Sequence, residues 1–377
     1  MTARPLQKLD REAAREVLGP WLSARMPQAR DLAVVGLANA KAGNSAETIL
    51  FEVSYVEDGR PRTQGLVLRR QFEGTDLFMN ADLADQAAVL TAMGRQKGPP
   101  TPAVVGVERD STVLGAPFLV MEKVEGRVVQ QVPNYNKEGW LADLPVAERG
   151  AVWRNAIEAM AKLHLIDWRQ DFAFMDDPAR GPAGLERYFN YVEDWYAWAA
   201  AGREQPTADK ALAWLRANKP KDETAGVMWG DATPANMLFA PDNSVAALLD
   251  WEMAGIGPGE ADLGWWMFFD NLFTEGMGPA TRLEGLPDRS EMIAIYEAAS
   301  GRTVRNIDFY EVLAMVRLGM IYVRQCDRQV AFGTIPATSK AFMNNPIQGM
   351  VARRLGLPVP ELGADFAEMV RVTKRTD

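Results

Sequence analysis

The spacing of apolar positions changes character near residue 125. Residues 10–25 carry Ala14, Val17, Leu18, Trp21 and Leu22 at helical intervals, which predicts an amphipathic opening helix. Asp31–Leu37 reads as a strand, Ala38–Thr48 is small and polar, and Ile49–Val56 alternates with a period of two. The turn Glu57-Asp58-Gly59 leads into another strand over Gln64–Arg70, so an antiparallel meander is expected. Asp82–Met93 predicts a helix with Leu83, Ala87, Leu90 and Met93 on one face. Pro99-Pro100-Thr101-Pro102 ends it, and further strands are expected near Ala103–Glu108 and Pro117–Glu122.

Beyond Gly126 long amphipathic helices dominate, over about 147–167, 184–202, 207–217, 288–300 and 307–332. One compact β-containing block, Val227–Glu252, interrupts them. Ten of the eleven tryptophans lie beyond residue 130, which fits a larger, aromatic-rich helical unit. A chain of 377 residues exceeds one ordinary core. The expectation is therefore an α+β protein of two lobes: a β-rich lobe over 1–122 and a mainly helical lobe over 123–377.

Composition narrows the function. The chain is 47% hydrophobic and 24% charged, as soluble globular proteins are. A net charge of -9 argues against nucleic acid as a partner, because phosphate backbones require basic surface. With His164 and Cys326 the only histidine and cysteine, zinc sites and cysteine proteases are excluded by arithmetic. His164 sits among Ile157, Met160, Ala161 and Leu163 in a helix, so a buried, hydrogen-bonded role is expected for it. Cys326 reads as a small core residue. The N-terminal stretch lacks the apolar core of a signal peptide, and the longest apolar run, Leu263–Phe269, is far too short for a membrane span. A cytoplasmic protein with no membrane partner is expected.

The chemistry concentrates in Trp229-Gly230-Asp231-Ala232-Thr233-Pro234-Ala235-Asn236, followed by Asp250-Trp251-Glu252 after the apolar strand Val245–Leu249. Phosphoryl transfer needs one carboxylate to take the proton of the attacking hydroxyl, and oxygen ligands to hold Mg²⁺ against the phosphates. Kinase catalytic loops set that Asp and a metal-binding Asn five residues apart, and a second metal-binding Asp follows a strand pair. Asp231 and Asn236 have the five-residue spacing, and Asp250 stands where the second Asp belongs. Singly, each residue would pass for a turn cap or a strand end. Together they point to a catalytic Asp231 and to Asn236 and Asp250 as metal ligands.

This block resembles the aminoglycoside-phosphotransferase-like kinases, whose usual signature is H-G-D-x-x-x-x-N followed by D-W/F-E/D. Within them it is similar to the branch that includes the kinase domain fused to some acyl-CoA dehydrogenases and its free-standing bacterial relatives. Supporting segments, from about residue 30 to about residue 270, include Leu66–Arg70, Pro117–Arg127, Leu163-His164 and Gly257–Leu263. The resemblance implies a protein-kinase-like fold that binds ATP and Mg²⁺ in the cleft between lobes. Gly43, Asn44 and Ser45 would lie over the phosphates, and Arg69 would stand where kinases place the strand lysine. Met121, Glu122 and Val124 would meet the adenine edge. Two departures stand out: Trp229 replaces the usual histidine, and Gln86 stands where the helix glutamate that pairs the strand cation is expected.

The acceptor is a small molecule with a hydroxyl group. From Arg302 to Asp377 there are eleven Lys/Arg against seven Asp/Glu, leaving 30 basic against 43 acidic residues elsewhere. Arg305, Arg317, Arg324 and Arg328 suit an anionic or CoA-linked acceptor better than a polycation. The aromatic helix Tyr188–Trp198 and Trp265-Trp266 offer an apolar wall beyond core packing. Three readings stay open: a kinase of a hydroxylated metabolite such as a hydroxyacyl-CoA, an antibiotic-modifying kinase, and a nucleotide-binding scaffold without activity.

Overall fold

Helix α1 (Arg11–Ser23) begins at Asp10, whose side chain accepts from the N–H groups of Glu12 and Ala13, a cap worth about 1 kcal/mol. The structure, a computed structural model, describes residues 9–39, 46–71, 76–79, 82–222, 224–276, 281–363 and 366–367. Ala14, Leu18, Trp21 and Leu22 of α1 pack on a sheet of five strands: β1 (Arg30–Asn39), β2 (Ala46–Glu57), β3 (Arg60–Gln71), β4 (Val104–Glu108) and β5 (Phe118–Glu122). Their order is β1-β2-β3-β5-β4, antiparallel throughout. The β2–β3 hairpin turns on Asp58 and Gly59, both at positive φ (49° and 72°), the geometry that matches strand twist.

Side-chain alternation then decides what β3 can do. Leu66 and Leu68 face α1 with Ile49, Phe51 and Val53, so Arg69 must point to the other side of the sheet. There helix α2 (Leu83–Met93) buries Leu83, Ala87, Leu90 and Met93 in the larger core, together with Leu119 of β5. Its first turn is capped by Asp82, which accepts from Ala84 N–H at 2.7 Å.

A single helical turn, α3 (Ser111–Leu114), precedes β5, and two others, α4 (Trp140–Asp143) and α6 (Trp168–Asp171), flank α5 (Val146–Leu163). Then come α7 (Leu185–Ala200) and α8 (Pro206–Asn218). Two small antiparallel pairs follow: β6 (Gly226–Met228) with β9 (Gly255–Gly257), and β7 (Met237–Phe239) with β8 (Val245–Leu248). The chain continues through α9 (Glu260–Asn271), α10 (Arg289–Ser300), α11 (Ile307–Ala331) and α12 (Pro346–Leu355). This is the bilobal α+β, protein-kinase-like fold that the sequence implied.

Besides the single turns α3, α4 and α6, two longer helices were not predicted, α9 and α12. Every residue of α9 from Glu260 to Phe269 is buried, and a helix buried all round shows no amphipathic stripe to read. Trp153, Trp195, Trp229, Trp265 and Trp266 are all fully enclosed in the larger core. Among the described residues no helix is long and apolar enough to cross a membrane.

Candidate active site

The site is built on the turn that leaves β6. Gly230 has φ +88°, and a Cβ there would lie 2.0 Å from the carbonyl oxygen of Met253, so only glycine fits. The backbone N–H groups of Trp229 and Gly230 donate to the two carboxylate oxygens of Asp262 at 2.6 and 2.9 Å. Asp262, in the first turn of α9, also bonds His164 Nε2 at 3.0 Å, and His164 Nδ1 meets the Tyr296 hydroxyl at 2.8 Å. His164 is thus buried and hydrogen-bonded, behind the Asp231 loop and not in it. From α11, Arg317 Nη2 donates to the Gly230 carbonyl at 2.7 Å while its guanidinium lies 4.4 Å above the Trp265 ring.

Asp231 follows this clamped dipeptide. Trp265 Nε1 donates to Oδ1 at 3.0 Å and Asn236 Nδ2 to Oδ2 at 2.7 Å, so both carboxylate oxygens are oriented. Burial, and secondarily the negative charge of Asp250, push the Asp231 carboxyl up to about 6. At the position where the signature has histidine, the Trp229 indole N–H donates to Leu249 O at 2.7 Å. Leu249 N–H in turn donates to Asn236 O at 2.8 Å. The residue before Asp250 is therefore tied to both ends of the Asp231–Asn236 loop.

Asp250 has φ +60°, unusual for a residue with a side chain. Its Oδ1 accepts from Arg69 Nη1 at 2.7 Å. The same nitrogen reaches Gln86 Oε1 at 3.2 Å, and Arg69 Nη2 lies 3.6 Å from Glu252 Oε2. Arg69 is only 8% exposed. It joins β3 of the first lobe to the Asp250–Glu252 turn of the second, and α2 to both.

Asp231, Asn236, Asp250, Arg69 and Gln86 are thus brought together. Among the described residues no group of three or more His, Cys, Asp or Glu forms a metal cage. The donor set nevertheless fits Mg²⁺, which is held by one or two protein oxygens plus substrate phosphates. Asp231 and Asp250 repel one another, and Asn236 has its amide nitrogen committed to Asp231, leaving its oxygen for a cation. Gly43, Asn44 and Ser45 lie outside the described residues. Met121 pairs with Val67 on the Arg69 side of the sheet and packs against the larger core. Glu122 accepts from Gln64 Nε2 at 2.8 Å, and Val124 lies just past β5, where the chain leaves for the second lobe.

The C-terminal arginines need correction. Arg317 and Arg328 are 1% and 7% exposed, and Arg317 is bonded to the Gly230 carbonyl. Arg324 bonds Asp76 O and Asp327 and stacks 4.3 Å from the Trp198 ring. Only Arg305 is openly exposed, so the four do not form a solvent-facing anion site. A cavity of about 300 Å³ opens between α2, α7 and the Trp251–Ile256 turn. Five carboxylates line it, Asp82, Asp85, Asp176, Asp177 and Glu252, against Arg180 and Arg187, which are paired with Asp177 and Asp176. Sequence reasoning missed Asp262, Trp265 and Arg317 as supports of the loop, though Asp262 lies in the Gly257–Leu263 segment that carried the resemblance.

A lobed kinase-type fold around an Asp–Asn–Asp constellation defines a phosphotransferase class. Residues 46–294 match the model of the phosphotransferase enzyme family called APH, and the chain belongs to that family. It is 29% identical over 269 residues to acyl-CoA dehydrogenase family member 11 of Gallus gallus, covering 68% of this chain and 33% of that protein. The acyl-CoA dehydrogenase relatives it matches are far longer, and the chain spans between 33% and 39% of three of them. Among solved structures, a candidate aminoglycoside phosphotransferase of Ralstonia eutropha superposes with a TM-score of 0.66 at 21% identity, covering 93% of this chain and 99% of that one. A thermostable mutant of aminoglycoside phosphotransferase APH(4)-Ia, in ternary complex with AMP-PNP and hygromycin B, superposes with a TM-score of 0.54 at 16% identity, covering 90% and 98%.

Proposed function

We propose that this phosphotransferase is an ATP-dependent cytoplasmic kinase that moves the γ-phosphoryl group to a hydroxyl of a small molecule. The observation that carries the reading is Asp231, oriented through both oxygens beside Asp250. Asp231 accepts the proton of the attacking hydroxyl as its oxygen bonds to the γ-phosphorus and the bond to the β-phosphate oxygen breaks, releasing ADP. Asn236 and Asp250 would hold Mg²⁺, which when bound neutralises charge on the phosphates. Arg69 turns donors toward the α/β-phosphates, and Met121, Glu122 and Val124 face the adenine.

For the acceptor, likeness to acyl-CoA dehydrogenase relatives supports a hydroxyacyl-CoA. The carboxylate-lined cavity beside Glu252 favours a second reading, a cationic acceptor such as an aminoglycoside. Mass spectrometry after incubation with Mg²⁺-ATP and a panel of hydroxyacyl-CoAs and aminoglycosides decides. Phosphorylated hydroxyacyl-CoA is expected; phosphorylated kanamycin alone would move the assignment to antibiotic modification. No product from any acceptor, with nucleotide still bound, would favour the scaffold.

A further inference from the structure

Protein kinases require an ion pair between the strand cation and a glutamate on the adjacent helix. In this chain that helix offers Gln86, which hydrogen-bonds Arg69 at 3.2 Å but carries no charge. A buried guanidinium needs its charge balanced, and among the described residues two carboxylates face it, Asp250 at 2.7 Å and Glu252 at 3.6 Å. The nearer of these is the residue proposed to hold the metal. Once Asp250 is committed to a divalent cation, its negative charge no longer belongs to Arg69. Glu252 remains, with its side chain 7% exposed. Because attraction falls as 1/r, the Glu252 pair retains about three-quarters of the pull of the Asp250 pair.

We propose that Glu252 is the standing counter-ion of Arg69, having taken over from the metal-motif turn the charge that kinases keep on the helix, so that glutamine suffices at position 86. Glu252 is a positioning residue: it holds Arg69 when the metal claims Asp250, and so sets how readily a metal can do so. Without Glu252, Arg69 draws more strongly on Asp250 and competes with the cation for it. The inference rests on the phosphotransferase reading of the site and predicts something separable from it.

The test is a calorimetric titration of AMP-PNP at a series of free Mg²⁺ concentrations, with thermal melting in parallel. Glu252→Gln should raise the Mg²⁺ concentration for half-maximal nucleotide binding by about three- to tenfold. Adding Gln86→Glu to that variant, which returns the carboxylate to α2, should bring the midpoint back to within about twofold of wild type. Glu252→Asp, the variant to use if Glu252→Gln does not fold, should shift the midpoint the same way by less and be rescued by the same second change. An unshifted midpoint, or a shifted one that Gln86→Glu leaves unmoved, overturns the proposal, even if the melting temperature falls. A wild-type protein that binds neither AMP-PNP nor its guanine counterpart at any Mg²⁺ concentration would instead overturn the kinase reading itself.

Discussion

The Asp231 loop and the Arg69 junction sit side by side, yet they are held in opposite ways. The loop is fixed from behind by Asp262 under two backbone amides, Arg317 on the Gly230 carbonyl and Trp265 on one oxygen of Asp231, with Asn236 on the other. The junction is closed upon itself, with Arg69 bonded to the carboxylate expected to receive the metal. The first arrangement presets a geometry before substrate arrives. The second must exchange partners on binding. Proton acceptance should therefore depend on rigid support, and nucleotide capture on a trade of ions.

The largest expected effect breaks the comparison on its rigid side. Asp231→Asn should lower turnover by about a hundred- to ten-thousand-fold, because the base acts in the transition state, while calorimetric AMP-PNP affinity stays close to wild type. Unchanged turnover would remove Asp231 from the chemistry. Next comes the support itself. Asp262→Ala strips the partner from two amides and from His164, and should cost about 3–5 kcal/mol of stability in denaturant melts. If stability barely moved, the loop would not be anchored from behind.

A smaller change probes the tie between the two regions. Trp229→Phe loses the bond to Leu249 O, worth about 1 kcal/mol, and should lower turnover about fivefold with little change in the nucleotide KM. A rise in that KM alone would mean Trp229 serves the binding side instead.

The smallest effect is in pH. Asp231 must be ionised to act, and its carboxyl is pushed up to about 6, so kcat/KM measured across pH should fall below about pH 6. Stability runs the other way. A carboxyl raised by burial favours the fold in its neutral form, an advantage present below the ordinary carboxylate range and lost as pH rises through about 6. Asp231→Asn should therefore melt about 2–4 °C above wild type at pH 8, with the gap closing near pH 4.

Much of the site was legible because its residues are bound by spacing along the chain. Asp231, Asn236 and Asp250 lie within 20 residues, on a loop and the β7–β8 hairpin, so local geometry suffices to bring them together. Arg69 and Gln86 could be placed by resemblance, but their partners could not: Arg69 and Asp250 are 181 positions apart. The framework was harder still. Arg317 looked like a surface cation in a basic stretch, and only the fold shows it stacked on Trp265 inside the core. Trp265 and Trp266 sit in α9, whose all-round burial erased the periodicity that reveals a helix. The aromatic helix was read as core packing with a surplus for a pocket wall, and it divides in that way: Phe189, Trp195 and Tyr196 are buried in the core, while Tyr188 and Tyr191 line the cavity. Sequence patterns report which residues are apolar, not which neighbours claim them.

The contact between Gly230 and Met253 bears on how such an enzyme could acquire new substrates. With no room for a single extra carbon at position 230, the catalytic loop and the turn after the metal motif are interlocked like two teeth of a gear. Neither can be redesigned or exchanged alone. A chimera that imports one of the segments from a relative must import the other with it.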